Sequence, residues 1–559
     1  MTDDKRDLLV QRLGMLKTER SGFDSHWKSV SEFLLPRSGR FFVTDRNRNG
    51  ASSWNKIIDS TATRAAGTLA AGMMAGMTSP ARPWFRLGTP DPELNTFAPV
   101  KQWLDDVRKL LLMVFAKSNT YRSLHAMYKE LGVFGTSGSV VLPDFDKVLH
   151  HYPQTVGQFF IAQNAQGVVD TMYREFQMTV GQMVKEFGEE KCSRTVREAF
   201  KRGNLDHWMT VIHAIEPRED RDLTKRDARN MPFRSCYFEP ACDPGKYLRE
   251  SGFQRFRALA PRWEVTGEDI YGTTCPGMEA LGDTKQLQHQ QLRKGQVIDY
   301  KTNPPLQVPV SMQNNPVGRL PGGVTYVTAS SATQSVQTLF NVDLDLSHLR
   351  EDIVDVRARI NSAFYADLFL MLASQPANGR MTATEVAERH EEKLLMLGPT
   401  LERLHNEMLS PMIDIAFDGV VAAGLVPPPP EELQGMELDV EFVSMLAQAQ
   451  RAVATNGIDR FVGNLGAIAA FKPDVLDKFD ADAWADGYSD MLGVDSDLIV
   501  ANDKVARIRE ARAQQQQAMQ QAAVMQQGAA TAKDLATARS TDPDGVGSAI
   551  DQFSGYTTA

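Results

Sequence analysis

Histidines and cysteines are the side chains from which a metal or redox site could be built here. His150 and His151 are adjacent, and His207 and His213 lie close together. Imidazole binds metals and moves protons near neutral pH. Sequence neighbours on a strand point to opposite faces, however, and no nearby helix offers a carboxylate–histidine pair to complete a zinc site. Surface or core positions are expected for these histidines. Cys236 and Cys242 could pair, but no second thiol pair supports zinc. The glycine-rich run GVFGTSGSV (Gly132–Val140) has the spacing of a tight turn rather than of a dinucleotide-binding loop. No G-x-x-x-x-G-K-[ST] phosphate cradle and no G-x-S-x-G elbow occurs. With no catalytic constellation, no metal and no cofactor are expected. The chain reads as structural or mechanical, not enzymatic.

Composition narrows the classes further. The 559 residues suggest about three to five units at roughly 100–200 residues each. Hydrophobic residues make up 42% and charged residues 23%, values of a globular protein. The formal net charge of -9 excludes a globally basic nucleic-acid coat, though not a local basic site. Four cysteines are too few for a disulfide framework, which suits a reduced fold. The most apolar small-residue run, Ala65–Met77, is too short to cross a bilayer core of about 30 Å. The acidic start MTDDKRDLLVQRLG is not a signal peptide. No membrane partner is expected.

Hydrophobic periodicity supplies the elements. Residues 5–35 read as helix, with Leu9, Leu13, Leu16, Phe23, Trp27, Val30 and Leu34 on one side and Pro36 as the stop. Ser60–Gly76 is a second helix, whose Gly67, Gly72 and Gly76 allow another backbone to come close. Val100–Phe134 reads as one helix. From Thr136 to about Thr274 the pattern is α+β, with strands at Ser139–Leu142, Phe159–Ala162, His207–Ile215 and Phe253–Ala260 and helices at Val180–Phe187 and Ser193–Arg202.

Gly277–Lys301 reads as a polar helix of about 25 residues, roughly 38 Å long. Its Lys285, Gln286, Gln288, His289, Gln290, Gln291, Arg293 and Lys294 suggest a helix facing solvent or other chains. A compact insertion with Pro304, Pro305, Pro309, Pro316 and Pro321 comes next, ending in VTYVTA. Leu346–Leu372 reads as a second long helix with the stripe Leu349, Ile353, Val356, Ile360, Phe364 and Leu368, and Asp355 and Arg359 can pair across one turn. The breaker-rich loop ASQPANGRM (Ala373–Met381) then precedes a capping box at Thr382 and Glu385. That box opens a third long helix, kinked near Gly398–Pro399 and at Pro411. Pro427–Pro430 is a spacer. Glu437–Leu498 reads as helical, and Lys504–Gln527 as a Gln/Ala helix fading into a low-complexity tail. In a ring, polar long helices pack side by side around an axis and the loop between them projects toward it. A helical-bundle scaffold is the alternative.

Four ordered blocks carry a family resemblance. They are LKTERSGFDSHWKSVSEFLLPRSGRF (Leu16–Phe41), IIDSTATRAAGTLAAGMMAGMTSPARPWFRL (Ile57–Leu87), YKELGVFGTS (Tyr128–Ser137) and RWEVTGEDIYGTTCPGMEAL (Arg262–Leu281). The second is the most specific, with its D-S-T…A…L-A-x-G…T-x-P…P-W-F pattern. Across roughly residues 5–430 the chain resembles the portal, or head-to-tail connecting, proteins of short-tailed tailed bacteriophages.

The resemblance implies a mainly α, portal-type fold with an α+β wing, forming a ring of typically twelve subunits at one capsid vertex. It divides the chain into a wing (1–275), first stem helix (276–302), clip (303–345), second stem helix (346–372), tunnel loop (373–382), long kinked wing helix (383–430) and crown or barrel helices (431–527). Residues 528–559 are expected to be a disordered tail. The implied partners are further copies of itself, double-stranded DNA without sequence specificity, terminase, a tail adaptor, and the major capsid and scaffolding proteins. Other virion proteins, such as an internal core or tail adaptor, and a packaging enzyme are the alternatives.

A channel through which DNA slides must not grip phosphate, and an acidic protein keeps that affinity low. A few basic side chains repeated by symmetry can still centre the duplex. Arg380 is the only charge in the tunnel-loop segment. Gln375, Asn378, Gly379 and Arg380 are therefore expected to face DNA, and Lys294, Lys301 and Arg319 are further basic candidates of the stem and clip. Val324, Thr325, Tyr326, Val327 and Thr328 are the expected docking surface of the clip.

Overall fold

The computed structural model describes residues 3–36, 38–41, 56–91, 94–95, 97–225, 227–240, 247–302, 306–307, 337–338, 347–373, 398–433, 439–442, 458, 460–469, 471–492, 500 and 502–541. Two compact units divide near Asn464.

The first unit begins with α1 (Asp3–Phe33), whose apolar stripe is split between two cores. Leu9, Leu13 and Leu16 pack on Phe160, Tyr173, Ile212 and Phe238 of a sheet. Trp27, Val30 and Leu34 belong to the main core, where the Trp27 indole Nε1 donates to the Phe134 carbonyl at 3.0 Å. The small-residue helix α2 (Thr61–Met77) comes next, then the short strand β1 (Phe85–Gly88).

The expected helix Val100–Phe134 is two helices, α3 (Ala98–Lys117) and α4 (Thr120–Phe134). They part at Ser118–Asn119 because the Asn119 amide leaves the helix to pair with a strand, accepting from His151 N at 2.9 Å and donating to His151 O at 2.8 Å. The glycine-rich run caps α4. Gly135 takes the left-handed conformation (φ 74°) that ends the helix, and the chain enters β2 (Gly138–Asp144) directly. The tight-turn reading holds.

Strand β2 sits between β3 (Val148–Gln154) and a later strand, β9 (Ala258–Leu259). Next is a five-stranded antiparallel meander, comprising β4 (Phe159–Gln163), β5 (Val169–Thr179), β6 (Trp208–Pro217), β7 (Phe233–Phe238) and β8 (Arg249–Phe253) in that order. Helix α1 covers one face. Between β5 and β6, α5 (Val180–Phe187) and α6 (Arg194–Lys201) build a further core with Val180, Met183, Val196 and Val211. The expected strand Phe253–Ala260 is only partly strand, since β8 ends at Phe253 and β9 is Ala258–Leu259.

After one helical turn at Pro276–Glu279 comes α7 (Leu281–Thr302). The short strands β10 (Leu306–Gln307) and β11 (Gln337–Thr338) pair antiparallel and bring together the two arms of the expected clip. The expected second stem helix is interrupted. It consists of α8 (Ser347–Ala363) and α9 (Ala366–Ala373), separated at Phe364–Tyr365, where Tyr365 has φ 53°. The chain resumes with α10 (Gly398–Leu404), a π-helical turn at His405–Leu409, and α11 (Ser410–Ala422). The π turn, the kind of irregularity that bends helices, lies just before Pro411, where a kink is expected.

Part of the region expected to be helical, Glu437–Leu498, is strand β12 (Asp439–Phe442), which pairs antiparallel with β1. The second unit contains α12 (Ala481–Leu492) and α13 (Asn502–Thr541). Helix α13 runs well past Gln527, so residues 528–541 of the expected disordered tail are helical, and Arg509 pairs with Asp482 at 2.5 Å. Among the described residues no helix is long and apolar enough to cross a membrane.

Candidate functional site

Asp59 is the point where three separate parts of the chain meet. It precedes α2, and its Oδ1 accepts from Thr61 N at 2.9 Å and Thr61 Oγ1 at 2.6 Å, satisfying one otherwise unpaired helix N–H. Its Oδ2 accepts from Gln291 Nε2 of α7 at 3.0 Å and from Arg357 of α8 at 2.6 and 3.1 Å. Gln288 grips the backbone beside it. The Gln288 Oε1 accepts from Ile58 N at 2.6 Å and Asp59 N at 2.8 Å, while its Nε2 donates to Asp59 O at 2.8 Å. Burial works against the Asp59 carboxylate, but hydrogen bonds from Thr61 and Arg357 outweigh it and hold its pKa below the ordinary value.

From this root α7 and α8 run antiparallel. Arg359 bonds Asp283 at 3.2 Å near one end, and Gln290 bonds Asp352 one helical stretch further on. Arg359 also pairs with Asp355, as the spacing predicts. Leu287 of α7 is buried in the main core with Ile353, Val356 and Ile360 of α8. The polar character of α7 is therefore only half explained by exposure. Gln288 and Gln290 are buried, and their amides serve as grips between chain segments rather than as a wet surface. A polar cavity of about 480 Å³ opens beside Asp59, lined by Ser60, Arg64, Gln291, Arg357 and Asn361 among others.

Basic side chains are distributed along the pair. Lys294 is half-buried midway down α7, and Lys301 is exposed in its last turn. Arg319, Val324, Thr325, Tyr326, Val327 and Thr328 of the expected clip lie outside the described residues, as do Gln375, Asn378, Gly379 and Arg380 of the expected tunnel loop. The structure thus brings Lys294 and Lys301 onto one helix and leaves the others unplaced.

The helical segment that begins at Gly398 is fixed to the α+β region by a second node. Arg262 is 2% exposed and surrounds itself with acceptors. Its Nη2 donates to Glu407 Oε1 at 2.7 Å and to Gly167 O at 2.8 Å, its Nη1 to Gln163 Oε1 at 2.8 Å and Ile270 O at 3.2 Å, and its Nε to Glu407 at 3.2 Å. The Arg262 backbone N–H also donates to Glu407 Oε2 at 2.9 Å. Glu407 sits in the π turn.

The histidines and cysteines occupy structural places. His213 stacks on Tyr237 with ring centroids 3.9 Å apart. It accepts from Arg174 Nε at Nδ1, so Nε2 carries the proton shared with Ser235 Oγ. Burial, reinforced by Arg174 and Arg249, holds its pKa well below the usual histidine value. His151 is buried, His207 is exposed, and Cys236 is a buried free thiol, while Cys242 lies outside the described residues. Among the described residues no cluster of three or more His, Cys, Asp or Glu side chains could hold a metal.

Sequence comparison now decides the family. The profile of the family described as "Bacteriophage head to tail connecting protein" matches residues 6–500. The chain belongs to this head-to-tail connecting family. It is 62% identical over 553 residues, 99% of both chains, to the "Probable portal protein" of Bordetella phage BPP-1. It is 45% identical over 544 residues, 97% of both chains, to the "Portal protein" of Salmonella phage epsilon15. A chain from the neck of an empty gene transfer agent particle aligns over 83% of this chain and 99% of its own length, at 10% identity and a TM-score of 0.34. The connector is thus a mainly α, portal-type protein with an α+β wing, and its place is the virion, at the portal vertex of the capsid.

The role of Asp59, Gln288, Gln291 and Arg357 in joining three chain segments escaped the sequence reading. Asp59 carried a signal, since Asp-Ser-Thr ahead of a small-residue helix is a helix-start pattern. The glutamines carried none, because hydropathy cannot tell a gripping amide from a solvated one.

Proposed function

We propose that this connector forms a closed ring, of twelve copies, through which double-stranded DNA enters the capsid and later leaves it. The observation that carries this reading is the 62% identity with a probable portal protein over 99% of both chains. The antiparallel α7–α8 pair is the stem of the ring, and the segment joined through β10 and β11 is the clip. The clip docks terminase during packaging and a tail adaptor afterwards, and the wing meets the major capsid and scaffolding proteins. The chain does no chemistry of its own. Energy for DNA movement comes from the docked packaging enzyme.

DNA passes without sequence readout. Arg380, with Gln375, Asn378 and Gly379, forms the tunnel loop facing the duplex, and Lys294 and Lys301 add charge along the stem. At a Debye length of about 8 Å, a ring of arginines near the duplex still feels its phosphates. Electron microscopy of the purified protein tests the assembly. Rings with a central hole are expected, and a monodisperse, fully helical monomer at micromolar concentration overturns the reading.

A further inference from the structure

Helix α9 does not continue α8, although the apolar stripe runs unbroken from Ile360 through Phe364 to Leu368. At the break, Tyr365 N donates to Ser362 O at 3.0 Å, and Phe369 N starts the new helix by donating to Tyr365 O at 3.2 Å. Tyr365 stands in the left-handed region, φ 53°, where a bulky side chain is rare. Such strain persists only where the surroundings enforce it. Burial on both sides of the joint does so. Phe364 is fully buried on one side, and Ala366, Leu368 and Phe369 are buried on the other.

Phe369 has an unusual seat. A Cβ placed on Gly72 of α2 would lie 2.1 Å from Phe369 Cγ and 2.2 Å from its Cδ1. The ring therefore occupies the space where every other residue type at position 72 would carry a side chain. Gly67, five residues earlier on α2 and on a different face, has nothing within 4 Å of such an atom. Gly132 makes an independent comparison. Its absent Cβ would lie 2.4 Å from Leu69 Cδ2, a contact that holds α2 to α4 rather than to α9.

We infer that α9 is a lever docked separately on the wing, with Tyr365 as its joint and the Phe369–Gly72 contact as its lock. The wing helix α2, not the stem, then sets the direction in which the chain leaves α9. Phe369, Gly72 and Tyr365 are positioning residues for the segment that begins where α9 ends. The functional consequence rests on the reading of that segment as the tunnel loop. Under it, a shift of α2 reaches the channel through one aromatic ring.

Hydrogen exchange on the full-length protein tests the lock. In Gly72→Ala, amides of α9 should exchange at least tenfold faster, while those of α4 change less than twofold. Gly132→Ala should loosen α4 and leave α9 alone. Phe369→Ala adds no atoms and should also loosen α9, and adding Gly72→Ala to it should have little further effect, within twofold. Unchanged α9 exchange in Gly72→Ala and Phe369→Ala, or equal loosening of α4 and α9 in both glycine variants, overturns the lock. The functional arm is scored separately, as the length of DNA retained in particles assembled with each variant. A change in Gly72→Ala and not in Gly132→Ala, at matched ring yield, is expected. Loosened α9 with normal DNA length leaves the lock standing and removes the tunnel-loop reading.

Discussion

Replacing Arg262 by alanine removes the guanidinium that joins the returning helical segment to the wing. The side chain donates to Glu407, Gln163, Ile270 O and Gly167 O and is almost wholly enclosed. Glu407 is itself only 15% exposed and would keep one charged neighbour, Arg403 at 3.3 Å, besides the Arg262 backbone N–H. Breaking a buried pair from one side costs about 3–5 kcal/mol, because a charge is left without its partner. Arg403 offsets a little of this, so the lower half of that range is expected. At about 1.4 kcal/mol per factor of ten, local opening should become about two to three powers of ten more frequent. Hydrogen exchange of residues 262–271 and 403–410 reads this directly and does not require the ring to unfold as one unit. Replacing both partners, Arg262→Met with Glu407→Leu, should recover much of the protection, since neither charge is then stranded. A loss of protection below tenfold in Arg262→Ala, or a double variant worse than the sum of the singles, would refute the assignment of this pair as the clamp.

Three further outcomes are expected. Asp59→Ala should destabilise the α2–α7–α8 junction by about 2 kcal/mol, from the lost Thr61 hydrogen bonds and the half-exposed Arg357 pair together; because the folded pKa of Asp59 is lowered, this difference should be present at neutral pH and shrink below about pH 4, as thermal unfolding across pH will show. Arg380→Glu should leave ring assembly unchanged while reducing DNA-filled capsids in complementation of a portal-defective phage, more than Arg380→Ala does, and normal filling would exclude Arg380 as a channel contact. Exchanging Val324–Ala329 for a Gly/Ser linker should preserve rings and abolish docking of terminase and tail adaptor in pull-down; retained docking moves that surface elsewhere.

Helices with a strong apolar stripe, such as α1 and α2, were legible in the sequence because burial follows the 3.6-residue period. So was the turn at Gly135, where chain geometry demands a residue free to adopt positive φ. The break at Tyr365 was not. The stripe Ile360–Phe364–Leu368 keeps helical spacing across it, and the cause lies in a glycine nearly three hundred positions away. The split at Ser118–Asn119 was hidden for a similar reason, since Asn119 gives up its helix for a partner on β3. Strand β12 was read as helix because a four-residue segment carries too little pattern to compete with its helical neighbours. The junction at Asp59 was half legible. Its helices were expected, but the amide grips of Gln288 and Gln291 depend on where residues 58 and 59 arrive in space.

The pairing of β1 with β12 bears on how the molecule is made. Phe85 faces Phe442, about 350 residues further along the chain, so this ladder closes a very long loop. At about 5–20 residues per second, a ribosome takes roughly 20–70 s to deliver the second strand after the first. During that interval β1 waits with an open edge, while Phe85 beside it belongs to the main core. The nascent chain therefore cannot complete its first unit until nearly four-fifths of it has been synthesised. Closure of that one small ladder is therefore a late step in the folding of the first unit, whatever its other elements have already done.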